Sequence, residues 1–121
     1  MLELRNWITR TSIQLERNKL FVFGDNLLRE GFGGQAKEMR GEPNTVGLIT
    51  KRKPTMEECA FLTDDLFEVW AKASGEDFLH LFLHKGVVVW PSAGIGTGLA
   101  QLPSRATLIF EAIELLKERL R

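Results

Sequence analysis

The chain has little of what marks several large classes of protein. It carries one cysteine, Cys59, which excludes an internal disulfide and a cysteine-rich zinc site. Cys59 also has no recognisable histidine partner that would make it a nucleophile. No apolar run approaches the ~18 residues of a membrane span. The opening Met1-Leu2-Glu3-Leu4-Arg5 lacks the basic start and long apolar stretch of a secretory signal. Charge of one sign is not in excess, since Lys plus Arg and Asp plus Glu each number 16. A nucleic-acid binder normally carries a basic surplus that displaces counterions from phosphate, so nucleic acid is disfavoured as a partner. Repeats, linkers and low-complexity tracts are missing. His80 and His84 are four apart, but the zinc-protease pattern needs Glu after His80, and Leu81 stands there. These absences lead us to expect a cytoplasmic protein with no membrane contact, no metal and no cofactor.

What remains is an ordinary globular composition: 121 residues, 44% of them hydrophobic. That is one domain's worth of chain, spanning 1–121, and enough to bury a core unaided. Apolar patterning predicts strands over 2–8, 11–16, 19–24, 46–49 and 87–90. The last of these, Val87-Val88-Val89-Trp90, has no polar residue, as expected of a strand covered on both faces. Helices are predicted over 33–40, from Asp64 (capped by Thr63) to about Ala73, from Glu76 to His84 after a break at Ser74-Gly75, and from Pro103 to about Leu120. Strands alternating with helices imply a three-layer α/β/α domain with a mostly parallel central sheet.

Two glycine-rich segments directly follow predicted strands, and in parallel strands they emerge on the same edge. One is Asp25 to Gly34, with Gly31, Gly33 and Gly34; the other is Ser92 to Leu102, with Gly94, Gly96 and Gly98. A phosphate needs several N–H donors converging on it, and backbone amides supply them only where no Cβ stands in the way. A helix starting after the loop adds further amides. Two such loops side by side suit a diphosphate, with Ser92 and Thr97 as additional hydroxyl donors. The alternative is that the glycines serve only tight turns. Asp25 and Asn26, at a strand's carboxyl end, read either as ligand contacts or as an Asx turn. Phe32 either packs under its loop or stacks on a ribose or base. Trp90 is a core residue or borders a pocket, and Lys51-Arg52-Lys53 is a solvated loop or attracts phosphate to the site edge. The P-loop pattern is absent.

The segment Asn26-Leu27-Leu28, continued by Gly31-Phe32-Gly33-Gly34-Gln35-Ala36, resembles the first motif of macro domains. The run from Val87 through Pro91-Ser92-Ala93-Gly94-Ile95-Gly96-Thr97-Gly98-Leu99 to Pro103 resembles their second. The sequence is also similar to small phage or bacterial-type proteins with an F-G-x-N start, here Phe23 to Asn26, which would make it a compact macro-like relative. The resemblance implies an ADP-ribose site. Asn26 would lie near the distal ribose and, in a hydrolase, take part in catalysis with help from Asp25. Gly24, Gly31, Phe32, Gly33 and Gly34 would line one side of the diphosphate, and Ser92 through Leu99 would wrap the other. Macro domains usually read adenine with an aspartate earlier in the chain. Here Gly24-Asp25 directly precedes Asn26, which leaves the adenine contact unassigned. The expected function is binding of ADP-ribose or a related nucleotide, with hydrolysis or phosphatase chemistry as a further layer. The alternatives are a non-catalytic module that sequesters a nucleotide signal and a protein-interaction domain with structural glycines.

Overall fold

A computed structural model describes residues 1–121. Four strands, β1 (Leu2–Arg5), β2 (Leu20–Asn26), β3 (Thr45–Lys51) and β4 (Val88–Pro91), form one sheet in the order β1-β4-β2-β3. Every neighbouring pair is parallel. Three main helices, α1 (Arg10–Leu15), α3 (Phe67–Leu83) and α5 (Thr107–Arg119), and two single turns, α2 (Ala36–Met39) and α4 (Leu102–Arg105), connect or follow them.

The period-2 alternation of the strands sorts the core into two layers. Phe21, Phe23 and Val89 face Ile13 of α1 and Ala36 and Met39 of α2. Leu20, Val22, Val88 and Trp90 face the other way, onto Trp70 and Leu81 of α3 and Ile109, Ile113 and Leu116 of α5. All four residues of β4 are buried, as its unbroken apolar run predicts, and Trp90 is wholly a core residue. The result is the α/β/α layering expected from the alternation of elements. No helix is long and apolar enough to cross a membrane.

The sheet's outer strand β3 is tied down from the side. The Trp70 indole N–H donates to the Ile49 carbonyl at 2.8 Å, and Arg29 Nη1 donates to the Gly47 carbonyl at 2.6 Å. Asp25 lies directly above Gly47, where a Cβ would meet its Oδ2 at 2.6 Å. Only glycine fits beneath that carboxylate.

Several local expectations are corrected. Residues 11–15 are helical and Glu16 is the C-cap, because Thr9 caps the first turn by accepting from the Ser12 amide at 3.2 Å. Leu15, half of the apparent alternation, is exposed. β1 stops at Arg5, so Asn6, Trp7 and Ile8 belong to a loop. Gly33 to Gln35 stay outside α2. Thr63 precedes a 3₁₀ turn (Asp64–Leu66), its hydroxyl bonds Asp65 and caps no amide, and α3 starts only at Phe67. Ser74-Gly75 does not break α3. Ser74 is buried and Gly75 has open space around its α-carbon. Packing of the helix on the sheet outweighs a glycine cost of about 1 kcal/mol. The last helix is interrupted at Ala106, whose φ of −144° is not helical, and Pro103 lies in the first turn of α4.

Candidate functional site

A cleft of about 710 Å³ opens beyond the carboxyl ends of all four strands. Asn6 and Trp7 follow β1, Gly24 to Asn26 and Glu30 to Ala36 supply one wall at and beyond the end of β2, Lys51 and Pro54 to Met56 lie at and beyond the end of β3, and Pro91 to Gly96 with Gly98 to Ala100 supply the opposite wall at and beyond the end of β4. The walls meet between β2 and β4, which are neighbours in the sheet. The chain leaves β2 for α2 on one face and β4 for α4 and α5 on the other. That divergence is the topological switch point at which open α/β sheets place ligands. The volume is that of a small-molecule site.

Of the residues expected to bind ligand, all but Thr97 line the cleft: Gly24, Asp25, Asn26, Gly31 to Gly34, Ser92 to Gly96, Gly98 and Leu99. Thr97 turns its hydroxyl into its own loop, donating to the Ala93 carbonyl at 2.6 Å. Ser92 likewise donates to Asn6 Oδ1 at 2.6 Å. These hydroxyls hold the loop in shape instead of standing free as donors. Phe32 does not pack under its loop; it is 66% exposed.

Asp25 and Asn26 are buried and engaged. Asp25 Oδ1 accepts from Arg40 Nη2 at 2.5 Å and from the Asn26 amide at 2.8 Å. Its Oδ2 takes Arg40 Nη1 at 3.2 Å and Arg29 Nη1 at 3.5 Å. The carboxylate is therefore an anchor for arginines. Asn26 closes an Asx turn: Oδ1 accepts from the Leu28 amide at 3.0 Å, while Nδ2 donates to the Glu30 carbonyl at 2.7 Å. Arg40 completes the frame. Its Nε donates to the Gly31 carbonyl at 2.8 Å and its Nη2 to the Glu30 carbonyl at 3.2 Å, and its guanidinium lies over the Phe23 ring. With the carbonyls of Glu30 and Gly31 turned towards Arg40, the amides of the loop are left over.

No backbone carbonyl accepts from any amide between Glu30 and Gln35, nor from any between Ile95 and Ala100. Both runs line the cleft except at Thr97. The helices that follow, α2 and α4, are single turns. The donors at hand are therefore the loop amides themselves, more than a helix dipole.

Charge at the cleft is sparse. Arg40 is spent on Asp25. Lys51 donates to the Thr55 carbonyl, reaches the Met56 sulfur at 3.6 Å and sits 4.8 Å from the centre of the Phe61 ring. Burial holds its ammonium below the usual lysine pKa. Next to the cleft, Asp77 accepts from Arg29 at 2.5 Å, yet burial raises its pKa more than that partner lowers it.

Sequence reasoning missed Trp7, Gln35 and Met56 and left Lys51 at the margin. Extending β1 through Ile8 hid the loop that carries Trp7. Its signal was available: a strand pairing beside Val87–Trp90 delivers its next residues to the same edge. The rim is apolar: Trp7, Phe32, Met56 and Leu99 are each more than half exposed. Single exposed apolar residues are ordinary, but four around one opening make it a candidate binding site.

The fold and cleft define an open α/β protein with a cleft at a switch point of its parallel sheet. The chain belongs to a family of unknown function (DUF7831), which matches residues 3–116. No curated protein and no solved structure matches it.

Proposed function

We propose that this protein binds ADP-ribose or a related nucleotide derivative, with the phosphates held between its two glycine-rich loops. The observation that carries the reading is the pair of unbonded amide runs, Glu30 to Gln35 and Ile95 to Ala100, on opposite walls of one cleft. An amide without an intramolecular acceptor is satisfied by water or by a ligand. Converging amides at a glycine-rich turn suit an anion with several acceptor oxygens. The exposed aromatic residues of the rim suit the remainder of a nucleotide. The likeness of both segments to macro-domain motifs supports the same ligand.

Within this reading, a binding module is favoured over a hydrolase. The residues that would perform hydrolysis, Asp25 and Asn26, have their polar atoms committed to Arg40, Leu28 and Glu30. A general base has to reach the proton it removes. A cytoplasmic location belongs to the same reading and accords with the single unpaired cysteine.

Calorimetric titration with ADP-ribose, alongside AMP and NAD, tests the proposal. Gly33 and Gly98 both have open space at the Cβ position and neither has a positive φ, so Gly33→Glu and Gly98→Glu place a carboxylate among the amides of a folded protein. ADP-ribose binding that either variant abolishes, with the melting temperature unchanged, is the expected result. Absence of binding at millimolar ADP-ribose would sink the proposal. Chromatography of the recovered nucleotide should show it intact; turnover would restore the hydrolase reading.

A further inference from the structure

Trp7 is held in an unusual way. The residue before it, Asn6, accepts from Ser92 of the second glycine loop at 2.6 Å. The residue after it, Ile8, is bonded at both its backbone groups by Gln35 of the first: the Ile8 amide donates to Gln35 Oε1 at 2.8 Å, and Gln35 Nε2 donates to the Ile8 carbonyl at 2.9 Å. Ile8 is itself 1% exposed, locked in the core beneath. The residues on either side of Trp7 are thus held to both walls of the cleft, Asn6 through its side chain and Ile8 through its backbone, while the indole between them stands 58% exposed on the cleft lining. A large aromatic on a mobile tip would mean little. One fixed between two ligand loops presents a preorganised flat surface, which lowers the ordering cost of binding. The nearest carboxylate of the first loop's root, Asp25, is bonded to Arg40 and so is not available to read the edge of a base.

We propose that Trp7 is the stacking platform for the planar base of the nucleotide, which is held by its π face. The inference rests on the nucleotide reading above and adds a base subsite at the end of β1. Stacking on an aromatic side chain tolerates any base, because every base has a π face.

The protein supplies its own reporter. Trp70 and Trp90 are 2% and 0% exposed, so a ligand-induced change in emission from the exposed tryptophan reports on Trp7. Titration with ADP-ribose should quench that emission, and ribose 5-phosphate, which has no base, should leave it unquenched. Trp7→Ala should weaken ADP-ribose binding roughly five- to hundredfold while leaving ribose 5-phosphate affinity and the melting temperature where they were. Trp7→Phe should recover most of the loss. Equal weakening of both ligands would assign Trp7 to the clamp alone and overturn the proposal, as would ADP-ribose binding that is lost in Gly33→Glu but unaffected in Trp7→Ala. In that last case the two-loop phosphate site stands and only the base subsite falls. Wild-type protein that binds neither ligand overturns both.

Discussion

The two glycine loops flank the same cleft but are built from different interactions. The first, after β2, is shaped by charge. One guanidinium, that of Arg40, reaches the Asp25 carboxylate and the carbonyls of Glu30 and Gly31, and Arg29 adds a second cation near Asp25 at 3.5 Å. The second, after β4, is shaped by packing. Ile95 is buried, the Thr97 hydroxyl closes the turn on Ala93, and Gly96 at φ +81° sits where a Cβ would be 2.4 Å from Leu102 Cδ1. Both arrangements leave unbonded a run of amides that belong, Thr97 apart, to cleft-lining residues. The common product is therefore not tied to one way of making it, and the loops should fail under different insults.

The sharpest way to break the first loop is Arg40→Ala. It leaves the Asp25 carboxylate, 3% exposed, with the Asn26 amide and, as its one cation, the longer Arg29 contact. We expect a loss of about 3–5 kcal/mol in urea unfolding, the usual cost of stranding one partner of a buried pair. Adding Asp25→Asn should recover part of it, because the stranded charge is then gone. A loss below about 1 kcal/mol would mean that charge is not what holds this loop. The corresponding break in the second loop is Gly96→Ala. Left-handed backbone strain and the clash with Leu102 together should cost about 2–4 kcal/mol, and no change of charge elsewhere should rescue it. Gly75→Ala sharpens the contrast from outside both loops. Its site in α3 is helical and open, so the variant should gain about 0.5–1 kcal/mol and melt slightly higher. A destabilised Gly75→Ala would show that glycine does more in α3 than tolerate the helix.

Much of the fold was legible because the buried strands are short apolar runs with a clear end. Val87 to Trp90 and Lys19 to Gly24 stop at the loops that matter, and the parallel arrangement then places both loops on one edge without further information. Smaller elements were harder to read. The α1 segment shows a helix only through the Thr9 cap and one buried residue, Ile13, which a two-residue alternation of apolar positions conceals. The Ser74-Gly75 pair looks like a break because local propensity cannot register the sheet packed against α3. The glycine loops themselves were visible, but the state of their polar groups was not. That Asp25 is tied to Arg40, fifteen residues on, and that the neighbours of Trp7 are held by Gln35 (at Ile8) and Ser92 (at Asn6) are facts about distant chain segments meeting, and no local spacing encodes them.

The side-on contacts to β3 carry a consequence of their own. β3 is an outer strand of the sheet, and an uncovered outer strand is a template on which another chain can continue the ladder. Here the carbonyls of Gly47 and Ile49 are occupied by Arg29 and by the Trp70 indole, and the strand's last residue, Lys51, is bridged in antiparallel fashion by Phe61. A second molecule seeking to extend the sheet at this margin would have to evict a guanidinium, an indole and a stretch of its host's own backbone. The same Arg29 that stands beside Asp25 at the root of the first loop thereby also guards this margin of the sheet against pairing with another chain.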